Sequence, residues 1–176
     1  MKKSISSLLG IVVLAALAGG CATAKPEAMV PTDFKIEKKH AASAVVSKPS
    51  AADAAAKWTT QIQAGNFLEA VSLAIQKSGL FAAVLTTSGA DYELEVTKVR
   101  GDEPAMGFNM TVDLVTRWVL KRKSSGEVVF QGNISTTHTA GMGEAFAGGT
   151  RLRLANEGAA KANIKEGLRR LSQLGL

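Results

Sequence analysis

Cysteine, histidine and aromatic side chains are scarce in this chain of 176 residues. Cys21 is the only cysteine, so no disulfide can form within one copy. The only histidines, His40 and His138, stand far apart, and without a free thiol they cannot make up a usual zinc set unless carboxylates join them. Glu93 and Glu95 fall on one strand face and read as a solvated edge. No metal and no cofactor is expected. Nucleophilic hydrolysis needs Ser, Cys or Thr beside a base that a third group orients. There is no G-x-S-x-G elbow. His40 lies in a charged stretch, and His138 ends a strand among Ser135, Thr136, Thr137 and Thr139. The chain is therefore not expected to be an enzyme. A phosphate-cradling loop is also missing: Gly141 and Gly143 are present, but Phe146 stands where the third glycine belongs. The preceding strand also reads as part of a hairpin rather than a parallel unit. The stretch reads as a mobile loop, and contact with a partner is its functional version.

Long apolar runs are lacking too. Ile11–Ala18 (IVVLAALA), led by Leu8 and Leu9, is the longest, and a bilayer-spanning helix needs about 20 such residues. Lys2 and Lys3 in front and small residues behind make 1–20 read as a signal peptide. Its end, Leu17-Ala18-Gly19-Gly20-Cys21, resembles a lipobox, with Ala18 in the position usually held by leucine and Leu17 one step earlier. The resemblance implies lipid attachment at Cys21. In lipoproteins of this kind an aspartate after the cysteine favours the inner membrane, so the resemblance, with Ala22 there, implies the outer membrane. Three acyl chains would anchor stably where one is marginal.

Dense positive charge is absent. The chain carries a net charge of +6, and losing Lys2 and Lys3 with residues 1–20 leaves +4. That excess is too small for a nucleic-acid binder. It gathers near the C-terminus, where Arg151, Arg153, Lys161, Lys165, Arg169 and Arg170 face only Glu157 and Glu166. Such a group is a solvated helix face or a surface for anionic lipid, glycan or a protein partner. Glu157, four residues after Arg153, is spaced to pair with it.

What remains is an ordered alternation of patterns. Residues 22–35, with two prolines and no apolar period, read as a flexible tether, extended by the charged stretch to residue 40. Ala44–Val46 reads as a first strand. Asn66 and Glu69 have capping-box spacing. Phe67, Val71, Ala74 and Ile75 share a face, and Gly79 is placed as a left-handed stop, which predicts a helix over 66–78. Leu80–Leu85 reads as a short buried strand. Tyr92, Leu94 and Val96 alternate with polar residues, as a half-buried strand requires. Phe108, Met110, Val112, Leu114, Trp118 and Leu120 continue that pattern for longer. Val128, Phe130 and Ile134 return on the same face after the turn at 123–126, as in a hairpin. Ala155, Ala159, Ala160, Ile164, Leu168 and Leu171 define a helix over 151–173. Trp58, with Ile62, reads as a contact anchor or as a residue folded back onto the domain.

These patterns predict an α+β domain over 41–176: an antiparallel meander of four to five strands with two helices on one face, behind a lipidated tether over 21–40. The stretches Phe67–Phe81, Ala90–Val96, Trp118–Leu120 with Gly126–Phe130, and Arg151–Ile164, together with the lipobox, look like small accessory lipoproteins of Gram-negative envelopes. These include the lipopolysaccharide-assembly lipoprotein that plugs a barrel, auxiliaries of lipid transport, and activators of peptidoglycan synthases. The resemblance implies an outer-membrane accessory lipoprotein that meets an envelope protein partner on the periplasmic side, with no nucleic acid. It carries over no functional residue except Cys21. Two other functions stay open: a lipoprotein that holds lipid or glycan between sheet and helices, and an enzyme on envelope polymers.

Overall fold

The computed structural model describes residues 23–48, 51–52, 58–86 and 89–176. Cys21 and the expected signal peptide lie outside them. After a short 3-10 turn at Pro26–Met29 come β1 (His40–Val46), α1 (Ala64–Ser78), β2 (Phe81–Leu85), β3 (Tyr92–Asp102), β4 (Met110–Arg122), β5 (Val128–Ala140) and α2 (Gly148–Ser172). The class is α+β, and two helices pack on one five-stranded sheet.

The strand order is β2-β1-β3-β4-β5. β3, β4 and β5 form an antiparallel meander. The first two strands depart from it: β1 lies between β2 and β3 and runs parallel to both. A parallel pair needs a crossover of a dozen or more residues, and the chain between β1 and β2, which includes α1, supplies it. The step from β2 to β3 needs no return, because β3 starts level with the end of β2: Ala44 pairs with Val84 on one side and Tyr92 on the other. Asp91 fixes that start by accepting hydrogen bonds from the Ser43 backbone N–H and hydroxyl at 2.8 and 2.7 Å.

One side of β3 and β4 is buried beneath the helices, whereas β2, expected as a buried strand, lies at the sheet's edge with Phe81 buried and Ala82 and Ala83 exposed. Leu94, Val96, Val112, Leu114, Trp118, Leu120 and Ile134 meet Phe67, Val71, Ile75, Ala155, Ala159, Ile164 and Leu168 in a single core. The opposite side carries Glu95, Thr97, Arg117, Lys121, Gln131 and Asn133, as a sheet wetted on one face requires. Polar pins set the register between α2 and the sheet. The Trp118 indole N–H donates to Thr116 Oγ1 at 2.8 Å, Thr116 donates to Asn163 Oδ1 at 2.6 Å, and Asn163 Nδ2 donates to the Ile134 carbonyl at 3.1 Å. Close approach is possible because α2 presents glycines at two points. A Cβ at Gly158 would stand 2.1 Å from the His138 ring, and one at Gly167 would stand 2.5 Å from the Trp118 ring. The packing between sheet and helices therefore leaves no room at these points for a lipid or glycan held between them.

Several expectations need correction. Residues 23–35 are not a flexible tether. Ala24, Met29 and Val30 are buried in the core, the Ala24 N–H donates to the Gln61 carbonyl at 2.7 Å, and Lys165 pairs with Asp33 at 2.9 Å. His40 is likewise buried, and its Nε2 bonds the Leu171 carbonyl at 2.9 Å. Helix α1 starts at Ala64 with no side-chain cap. Asn66 does not cap it but donates to the Ala24 carbonyl at 3.0 Å. The other end matches: Gly79, at φ 63°, stops the helix with its N–H on the carbonyls of Ile75 and Gln76. Phe108 lies beyond the start of β4 and is exposed. A bulge sets Val128 opposite Lys121 while Phe130 stays opposite Leu120, so the two do not share a face.

Candidate functional site

Antiparallel pairing brings two loops to one end of the sheet. Asp102 pairs with Asp113 and Met110 pairs with Ala140, so loop 103–109 and loop 141–147 emerge side by side. Each has a reason to break the strand pattern. The first carries Pro104 and Gly107, and the second carries Gly141 and Gly143.

Arg151 ties the loops together. It is buried, and its guanidinium donates to the carbonyls of Ala145 (3.0 Å), Phe146 (2.5 Å) and Gly107 (3.0 Å). A planar fork of donors suits converging carbonyls in a way that a lysine does not. Within loop 141–147, Glu144 turns back to accept from the Gly141 N–H at 3.0 Å. The loop read as mobile is thus braced at both ends.

Glu103 fixes the root of the first loop. Its carboxylate accepts from the Thr60 N–H at 2.6 Å and from Asn156 Nδ2 at 2.6 Å. Thr60 neighbours Gln61, which receives the Ala24 N–H. Ala24, segment 58–61, the two loops and the beginning of α2 therefore meet at one end of the described residues.

That end carries apolar side chains that the core does not use. Met106 is 84% exposed, Phe108 77%, Phe146 87% and Met142 44%. Single exposed hydrophobics are ordinary, but large ones gathered on two braced loops point to contact. The sequence pattern assigns Phe108 to the core and gives partner contact as the functional version of the loop that carries Met142 and Phe146, while Met106 has no role in it. The available signal was bulky apolar residues inside segments rich in glycine and proline.

The six C-terminal cations do not form one open basic surface. Arg151 is the internal brace. Arg153 pairs with Glu157 at 2.6 Å, as its spacing predicts, and Lys165 pairs with Asp33. Arg169 and Arg170 both bind Glu166 at 2.7 Å, and Arg170 also donates to the Asn133 carbonyl at 3.1 Å. Lys161 lies within electrostatic reach of Asp33. Arg151 had a legible signal: it stands four and eight residues before Ala155 and Ala159, on the buried stripe.

Hydrogen bonds from Arg169, helped by Arg170, hold the Glu166 carboxyl at about 2, below its ordinary 4.5. A carboxylate depressed in the folded state stabilises the fold above its unfolded pKa, and that contribution is lost as pH falls through the folded value. Acid unfolding should therefore include a component between about pH 4.5 and 2 that Glu166→Gln removes. A carbon-detected titration giving Glu166 an ordinary midpoint would refute this.

The remaining candidates have structural roles. Trp58 folds back, with its ring centroid 4.6 Å from that of Phe67. Glu93 accepts from Ser47 Oγ at 2.7 Å, and Glu95 pairs with Lys121 at 2.7 Å. No metal-binding group of three or more His, Cys, Asp or Glu occurs among the described residues. His138 lies against Gly158 of α2.

No family model and no curated protein matches the chain. Solved structures share its fold. The protein XCC0632 of Xanthomonas campestris, of family DUF330, is similar with a TM-score of 0.57 at 13% identity, over 85% of this chain and 90% of that one. A minor lipoprotein of Acinetobacter baumannii is similar with a TM-score of 0.52 at 8% identity, over 76% of this chain and 92% of that one. At these identities the likeness is one of fold: a fold also used by a bacterial lipoprotein.

Proposed function

We propose that the chain is a lipid-anchored accessory protein of a bacterial envelope, held on the periplasmic side of the outer membrane, that assists envelope assembly or lipid transport by protein contact rather than catalysis. The observation that carries this reading is the burial of Ala24, three positions after Cys21. Ala24 is already in the core, so lipid on Cys21 would hold a folded domain directly against the membrane instead of on a long leash. The lipobox resemblance supports the lipid, and the fold shared with the Acinetobacter lipoprotein agrees with it. A domain held by its loop end keeps the polar sheet face with Thr97, Arg117 and Gln131 free for a partner.

Two measurements test the proposal in the native host. Cys21→Ser should move the protein from the membrane pellet to the soluble fraction. A photo-crosslinker at Arg117 should give one adduct of discrete mass that contains an envelope protein. An unchanged pellet fraction would refute the anchor, and the absence of any discrete adduct would count against work by contact.

A further inference from the structure

We infer that the apolar tips of loops 103–109 and 141–147 enter the same lipid leaflet as the Cys21 acyl chains, so that the domain is seated on the membrane by this end. The inference rests on the anchor of the proposed function and adds an orientation and a second attachment. Distance supplies the first argument. The three steps from Cys21 to Ala24 span at most about 10–11 Å. The polar headgroup layer takes up about 5–7 Å of that on each side of the hydrocarbon. The remainder is thinner than a single helix, whose diameter is about 10–12 Å. No protein layer fits between this end of the domain and the bilayer.

Connectivity supplies the second argument. Ala24 is joined to Gln61, Thr60 to Glu103, and Arg151 to Gly107 and Phe146. The anchored end is therefore also the end that carries Met106, Phe108, Met142 and Phe146. Their chemistry suits lipid. Phenylalanine and methionine gain from leaving water, and interfacial apolar groups sink about 5–10 Å into the boundary between headgroups and acyl chains. The Arg151 brace holds both tips in place, so little ordering is needed when they insert. Glu144, the acid nearest to Phe146 in sequence, is turned back onto Gly141.

The test uses the acylated chain purified from its host and reconstituted in phosphatidylethanolamine–phosphatidylglycerol vesicles with brominated acyl chains. Phe108→Trp and Phe146→Trp place a reporter at each tip, and both sites are exposed enough to spare the core. Val128→Trp, at the far end of β5, is the control. Trp58 and Trp118 are buried and form a constant background. The tip reporters should lose more than half of their emission while the control keeps its own. An acylated mass with unquenched tip reporters would overturn the seating and leave the anchor standing, even if those reporters shift to the blue in whole envelopes, where a protein would then cover them. Equal quenching at Val128→Trp would overturn the orientation. A bare Cys21 in the mass spectrum would remove the anchor, and the seating with it.

Discussion

Replacing Trp118 with alanine should destabilise the domain by about 3–5 kcal/mol, the range for deleting a large aromatic from a packed core. Trp118 is fully buried in the middle of β4, beneath α2. Its ring fills the space that Gly167 leaves by having no side chain, so neither sheet nor helix can close the gap without moving backbone. Its indole N–H also donates to Thr116, which is bound in turn to Asn163. Losing the ring leaves this buried pair without that donor, which adds to the cavity cost. Trp118→Phe keeps most of the apolar volume and should cost clearly less. Urea unfolding of the three proteins checks the order, and a loss for Trp118→Ala below about 1 kcal/mol, as for a surface change, would refute the packing described.

The parts of this fold that are legible in the sequence are those with a local period. Met110 to Leu120 alternates because one face of the sheet is dry. Ala155, Ala159, Ile164 and Leu168 keep a helical stripe for the same reason, and Gly79 marks a helix end that needs φ > 0. Non-local pairing leaves no such trace. The neighbours of Ala44 are Val84 and Tyr92, and nothing in the Ala44 segment says that both run parallel to it. Asn66 has the spacing of a cap but gives its amide to Ala24, a residue drawn in by tertiary packing. Phe108 keeps the alternation although it stands two residues before the strand begins at Met110. The same limit holds at the candidate site. The clustering of the C-terminal cations can be read directly, but Lys165 finds its acid 132 positions upstream, at Asp33. Charges that are unbalanced along the chain are balanced in space. The apolar tips are the converse: they stand alone in sequence and are gathered by strand pairing.

Removing residues 22–35 should damage the domain about as much as losing a core tryptophan, although these residues have the composition of a linker. Met29 is fully buried and Val30 nearly so, and burying such side chains contributes about 1.5–3 kcal/mol each. The two together account for about 3–6 kcal/mol, before Ala24 and the partly buried Phe34 are counted. Three ties go with them: the Ala24 N–H bond to the Gln61 carbonyl, the Asn66 bond to Ala24 and the Lys165 pair with Asp33. The deletion would strip the seam between α1 and α2, which meet the Pro26–Met29 turn on either side. A domain whose whole stability is about 5–15 kcal/mol has little left after that loss. The shortened chain should therefore unfold at much lower urea, with a smaller dependence on denaturant because less surface remains to expose. Met29→Ala in the full-length protein isolates one part of the effect and should cost about 2–5 kcal/mol. If the shortened chain kept the midpoint of the full one, the segment would be a leash after all, the domain would hang free of its lipid, and the seating of the loop tips would lose its distance argument.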